Sequence, residues 1–269
     1  MSTAAFLRSI GVADLEPATS PFDPGYDPVT LEAHLEQSRH LISVLKISMA
    51  CWLVADEGAS RRKFAAAARH GVRTTTGGGP FEIAFVQGRL DAYLDLCADV
   101  GASRVECGTG FTDADPDPAE IVPKAAARGL EVQFELGRKH GGAITPEAIG
   151  GLLDDGRRWL DAGAVQLVVE ARESASGVGV FGEHGELDSA IAERFVDTFG
   201  LEVVSFEAPN KASQFALLDH FGPRVHLCNV RLEELLRVEI YRRGIHSDAF
   251  SRAALRPRAP LGEPKRPDA

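Results

Sequence analysis

The chain has 269 residues, 44% of them hydrophobic and 25% charged, with a formal net charge of −10. That length suits one large domain or two small ones with an ample core. The acidic balance argues against nucleic acid or an anionic membrane surface as the main partner; a local cluster of Arg and Lys can still receive a small anionic substrate. No apolar run approaches the ~20 residues of a membrane span, and no basic start leads into a long apolar stretch at the N-terminus. Cys51, Cys97, Cys107 and Cys228 show no C-x-x-C spacing, so reduced thiols in a cytoplasmic protein are expected rather than disulfides or a zinc knuckle.

In chain order, a weak strand candidate in the N-terminal region precedes T-L-E-A-H-L-E-Q-S at Thr30–Ser38. L-I-S-V-L-K-I-S (Leu41–Ser48) reads as a strand, and Arg61–Gly71 as a helix stopped by glycine. Val72–Gly79 reads as a short strand ending in three glycines, and Phe81–Gly101 as one helix with apolar residues at helical spacing. Strands follow at Ser103–Gly110 and Leu130–Lys139, with a helix near Pro118–Gly129 between them. Thr145–Gly163 predicts a helix with Thr145 as cap and Pro146 at its first position. Val165–Glu170 is the next strand, then a helix near Leu187–Phe199, a strand at Leu201–Pro209 and a helix at Lys211–Phe221. A strand at Arg224–Val230 and a helix at Arg231–Gly244 complete the series. Strict alternation implies a parallel sheet with right-handed crossovers. Eight units in about 250 residues predict an α/β fold, a closed (β/α)8 barrel in one domain over residues 1–250. An open doubly wound sheet is the alternative. Residues 251–269, rich in Pro and charge, are expected to be a disordered tail.

Four of the predicted strands carry a carboxylate near the C-terminal end: Glu106, Glu135, Glu170 and Glu207. A lone buried carboxylate is costly without a metal, a cation or strong donors, and the strand ends of such a barrel converge on one mouth. Lys46 within a strand, Lys139 just past Glu135, and Arg172 beside Glu170 offer positive charge. A divalent cation is a natural addition, and all-oxygen ligands favour Mg²⁺ over zinc. Which glutamates ligate it and which orient the cations stays open. The glycines at Gly77–Gly79 and Gly177–Gly179 would let backbone N–H groups approach a phosphate or carboxylate, which marks Gly78, Gly79, Gly177 and Gly179 as substrate-binding candidates. No P-loop, dinucleotide fingerprint, H-E-x-x-H or G-x-S-x-G is present.

G-G-G-P-F-E-I-A (Gly77–Ala84), F-E-L-G-R-K (Phe134–Lys139), V-V-E-A-R-E-S (Val168–Ser174), G-V-F-G-E-H-G-E (Gly179–Glu186), F-E-A-P-N-K (Phe206–Lys211) and R-R-G-I-H-S-D-A-F (Arg242–Phe250) resemble the phosphosulfolactate synthase family. The resemblance runs from about Phe22 to Phe250 and implies a (β/α)8 barrel. It implies Mg²⁺-dependent addition of sulfite to phosphoenolpyruvate, giving (2R)-2-O-phospho-3-sulfolactate, or a close variant with another nucleophile. A non-catalytic stress-tolerance protein on the same barrel is the alternative. The resemblance further implies Lys139 as the proton donor to C2, Lys46 and Arg172 as binders of phosphate or sulfite oxygens, and Asn229 with the loop after it as part of a phosphate cradle. The chain departs from the family's D-K-G, G-G-T and G-K-K at Pro24, at Gly79 and Pro80, and at Arg138, a further substrate-binding candidate. The implied partners are anionic small molecules, and assembly into a homo-oligomer is compatible with this reading.

Overall fold

A computed structural model describes residues 1–47, 49–252 and 254–255. Its strands are built on alternation. In E-V-Q-F-E-L and R-V-E-C-G every second residue is polar, yet nearly all are buried. The apolar set packs outward on helices, as where Phe134 stacks on Trp159 at 4.2 Å. The polar set faces the barrel axis, where Arg104 donates to Gln133 and Gln166. Eight parallel strands close in sequence order: β1 (Thr19–Asp23), β2 (Leu45–Ile47), β3 (Thr74–Thr75), β4 (Arg104–Gly108), β5 (Glu131–Leu136), β6 (Gln166–Val169), β7 (Val204–Glu207) and β8 (His226–Arg231). The weak N-terminal candidate is therefore β1, and the barrel rather than the open sheet is the architecture.

The helices are α1 (Thr3–Ser9), α2 (Pro28–Ser38), α3 (Cys51–Val54), α4 (Glu57–Arg69), α5 (Gly78–Val86), α6 (Leu90–Asp99), α7 (Pro118–Ala126), α8 (Ile149–Asp161), α9 (Ser189–Phe199), α10 (Lys211–Phe221) and α11 (Leu235–Arg242). Three expectations need correction. The single helix over Phe81–Gly101 is two, α5 and α6, because Gly88 takes φ 63° and ends the first. The third strand is only Thr74–Thr75, and Gly78 and Gly79 begin α5 instead of ending that strand. Thr145 does not cap α8: its hydroxyl accepts from Ala148 N–H at 3.3 Å, closing a turn ahead of a helix that starts at Ile149.

The barrel closes through the R-R-G segment. The Arg242 guanidinium is buried and donates to the carbonyls of Pro223 and Val225, both at 2.7 Å, and to Thr19 Oγ1 at 3.0 Å. Glu239 accepts from Arg242 and from the Thr19 hydroxyl. This ties α11 to the first and last strands, which pair along β1–β8. Leu255 is buried and Arg252 pairs with Asp219 at 3.1 Å, so packing runs past the boundary expected at residue 250. The rest of the expected tail, 253 and 256–269, lies outside the described residues. All four cysteines are free, and no helix among the described residues is long and apolar enough to cross a membrane.

Candidate active site

The C-terminal ends of the strands surround a cavity of about 1010 Å³. It is lined by Lys46 of β2, Glu106 of β4, Glu135 of β5, Glu170 after β6, Glu207 of β7 and Asn229 of β8. All four glutamates are buried. Parallel register explains their convergence, since Glu106 pairs with Gln133, one inward step below Glu135, and Glu207 pairs with Cys228. Each side chain thus rises from a different strand toward the same mouth.

The four carboxylates fall into two groups. Glu106 is fully engaged with donors: Lys46 Nζ bonds both its oxygens at 2.9 and 2.8 Å, Gly78 N–H donates at 2.9 Å, and Gln133 Nε2 at 2.7 Å. Glu135, Glu170 and Glu207 each present an oxygen within 4.8 Å of the others. Lys139 reaches into that trio, with Nζ at 2.8 Å from Glu135 and 2.7 Å from Glu170. Glu207 accepts from the N–H groups of Ala171 and Arg172 and from Asn229 Nδ2. Arg172 N–H also donates to Glu170 at 2.6 Å, which its φ of 56° makes geometrically accessible. Glu106 thus holds Lys46, while Glu135, Glu170 and Glu207 form a cluster whose oxygens lie close enough together that they could hold a metal ion.

Charge follows geometry. Four buried carboxylates face two ammonium groups, an excess of two negative charges. Burial pushes the Glu135 carboxyl well above its ordinary range, and Glu170 adds to the rise. Burial and then Glu170 raise Glu207 to about 8. Burial opposes Glu170 ionising, yet Lys139 and hydrogen bonds from Glu135 and Glu207 carry it down to about 2. For Lys46 and Lys139 burial favours the neutral amine, but Glu106 and Glu135 respectively outweigh it, and both ammoniums are held above their usual range. Three buried carboxyls that would leave a double negative charge beside Lys139 if all were ionised are a donor set suited to a hard divalent cation.

Several expected substrate-binding positions sit elsewhere. Gly78 lines the cavity, but its N–H is given to Glu106; Gly79 lines it from the first turn of α5. Gly177 and Gly179 are not among the lining residues. Gly177 N–H is bonded to Gly182 O at 2.8 Å. Gly179 has φ 59°, and a Cβ there would collide with the carbonyl oxygen of Glu170. At Gly179 the missing Cβ serves a close backbone approach, whereas at Gly177 a Cβ would meet the Glu183 side chain. Arg138 points out and pairs with Asp113 at 2.8 Å. The Arg172 side chain is exposed at the rim.

Other site residues escaped the sequence reading. Gln133 was findable, because it shares the inward face of β5 with Glu135. Glu82 is buried and accepts from the N–H groups of Gly110, Phe111 and Thr112. It fixes the loop whose Gly110 carbonyl accepts from Lys139 N–H at 2.7 Å. Asp23 is paired with buried Lys63 at 2.8 Å and accepts from Gly25 and Tyr26 N–H, which sets the turn that places Pro24 on the cavity wall. Arg231 also lines the cavity.

A family model described as (2R)-phospho-3-sulfolactate synthase (ComA) matches residues 16–248. A phosphosulfolactate synthase of Methanocaldococcus jannaschii is 29% identical over 240 residues, covering 87% of this chain and 94% of the relative. One from Methanothermobacter thermautotrophicus is 25% identical over 243 residues, covering 88% and 92%. Among solved structures, dihydropteroate synthase from Thermus thermophilus superposes with a TM-score of 0.52 at 18% identity, covering 84% of this chain and 93% of that one, a likeness of fold.

Proposed function

The chain belongs to the (2R)-phospho-3-sulfolactate synthase family, and from that premise we propose that it adds sulfite to phosphoenolpyruvate with Mg²⁺, giving (2R)-2-O-phospho-3-sulfolactate. The observation that carries this reading is the meeting of Glu135, Glu170 and Glu207 with Lys139 at one barrel mouth. In the reaction the sulfur lone pair of sulfite forms a bond to C3. The C2–C3 π electrons move onto C2 and into the carboxylate, and one proton then closes C2. The product keeps every atom of both substrates plus that proton.

The developing negative charge has to be stabilised more in the transition state than in the substrate. Mg²⁺ held by Glu135, Glu170 and Glu207 would supply that stabilisation as a Lewis acid toward the substrate carboxylate. Lys139 is the proton donor. Its ammonium is fully charged at neutral pH, and once its carboxylate partners are neutralised their hold on the proton slackens. Lys46, clamped by Glu106, adds a fixed positive field on the opposite wall without giving up its proton. Arg172 meets sulfite at the rim, with Gly79 and Asn229 shaping the wall. A stress-tolerance protein without catalysis would have no need to hold two ammoniums and four carboxylates buried at one mouth, since such groups cost stability.

The test is to incubate purified protein with phosphoenolpyruvate, sulfite and Mg²⁺ and follow the adduct by mass spectrometry. Adduct formation abolished by chelator is expected. Folded, metal-bound protein that consumes no phosphoenolpyruvate with sulfite would overturn the reading.

A further inference from the structure

Four cations line the cavity, and two of them are engaged at its floor: Lys46 by Glu106, Lys139 by Glu135 and Glu170. Arg172 and Arg231 are left for substrate anions. Arg231, the last residue of β8, is the better prepared of the two. Its guanidinium lies over the Phe22 ring, 5.7 Å from the centroid. Its Nε donates to Glu233 at 2.5 Å. The other oxygen of Glu233 accepts from the Tyr26 hydroxyl at 2.8 Å, and Tyr26 stacks on His34 at 5.1 Å. No hydrogen bond to a described residue engages its two terminal nitrogens. The side chain is held on its ring face and at Nε, with its two-pronged end free. Ordering it on binding an anion therefore costs little further entropy. The neighbouring wall brings no competing cation, because β1 and its turn contribute only Phe22 and Pro24 to the lining.

We propose that Arg231 is the specificity-determining anchor for the phosphate of the substrate, taking two phosphate oxygens through its terminal nitrogens. A planar guanidinium fork matches a phosphate dianion, and the ends of the last strands of such barrels are a recurrent phosphate position. Phe22, Glu233 and Tyr26 are positioning residues that aim the fork. The choice of phosphoenolpyruvate as ligand rests on the proposed reaction; the anchoring of a phosphate does not.

Arg231→Met is expected to raise KM for phosphoenolpyruvate by roughly ten- to a hundredfold, the worth of a charge-assisted pair. The fall in kcat should be smaller, and KM for sulfite should not move. Arg231→Lys keeps the charge without the fork and should recover part of the loss. Tyr26→Phe should give a smaller rise in the same KM. Inorganic phosphate should inhibit competitively, with its inhibition constant rising in Arg231→Met alongside KM. Arg231 is exposed, so unchanged melting curves are expected to accompany these effects. An unchanged phosphoenolpyruvate KM in Arg231→Met overturns the assignment, as does a rise in sulfite KM instead, or an effect carried by Arg172→Met alone. Calorimetry separates this inference from the reaction: a wild type that makes no adduct yet binds phosphoenolpyruvate or phosphate through Arg231 sinks the reaction and sustains the anchor. Binding of neither ligand sinks both.

Discussion

Lys139 and Lys46 are both cations on buried carboxylates, yet they are built for different work. Lys46 is nearly inaccessible and bonds both oxygens of one glutamate, so its proton has nowhere to go. The Lys139 side chain is 28% exposed, straddles two glutamates of the cluster, and reaches them from a loop instead of a strand. An ammonium raised above its usual range is set to give a proton and not to take one, the role that the proposed carbanion at C2 would require. Lys139→Met should therefore lower turnover by ~10²- to 10⁴-fold, the usual reach of general acid catalysis, while phosphoenolpyruvate still shifts the melting temperature by mass action. Steady-state rates beside a thermal shift decide it. Turnover within a few-fold of wild type would remove Lys139 from the chemistry.

The loop after β6 shows how an element can be misread from its residues. Gly177 and Gly179 both have positive φ, near 60°. Alanine at either costs about 1–2 kcal/mol for the left-handed backbone alone. Only Gly179 adds a collision with the Glu170 carbonyl; a Cβ at Gly177 meets the movable end of Glu183 at 3.2 Å. Gly179→Ala should thus lose more stability than Gly177→Ala in urea unfolding, and it alone should weaken the proposed Mg²⁺ binding, because Glu170 is what it displaces. Equal losses with equal metal affinity would mean that the close approach is not what places Glu170. The same contrast explains what was legible. Strand-end glutamates could be read because alternation is a local property, and Lys139 because it sits four residues past Glu135. The glycines could not, since their purpose is set by chain from elsewhere: Met49 Cα would lie 2.9 Å from a Cβ at Gly77. Arg138 and Lys139 are neighbours that point apart, one to Asp113 and one into the cluster. Arg231 was hidden because Asn229 before it takes φ 51°, which breaks the alternation that would have assigned its face.

At the scale of the molecule, the mouth is an acidic cavity in an acidic protein, and its surplus charge has to be met by protons or by a cation. Without a cation, the raised Glu135 and Glu207 keep protons that an unfolded chain would have released near the ordinary carboxyl range. The sign follows from that difference. Folded-state pKa values above the unfolded ones give a contribution that is complete below about 4.5 and is lost as pH rises through the folded value, about 8 for Glu207. Partly buried His226 acts the other way, since burial and then Arg242 lower its pKa. Its contribution is present above the unfolded value near 6.5 and erodes below it. From pH 7 to 8.5 His226 is largely neutral in both states. The thiols of Cys97, Cys107 and Cys228, held above their ordinary value by burial, lose stability with the same sign towards the top of that interval, so comparison with Glu207→Gln is what isolates the carboxylates. Chelator-treated protein should melt at progressively lower temperature across that interval. Added Mg²⁺ should raise the melting temperature more at pH 8.5 than at pH 7, because cation and protons compete for the same oxygens. Glu207→Gln should flatten both trends. A Mg²⁺ shift of the same size at both pH values, with the chelated protein unaffected by pH, would mean that the three carboxylates do not act as one site.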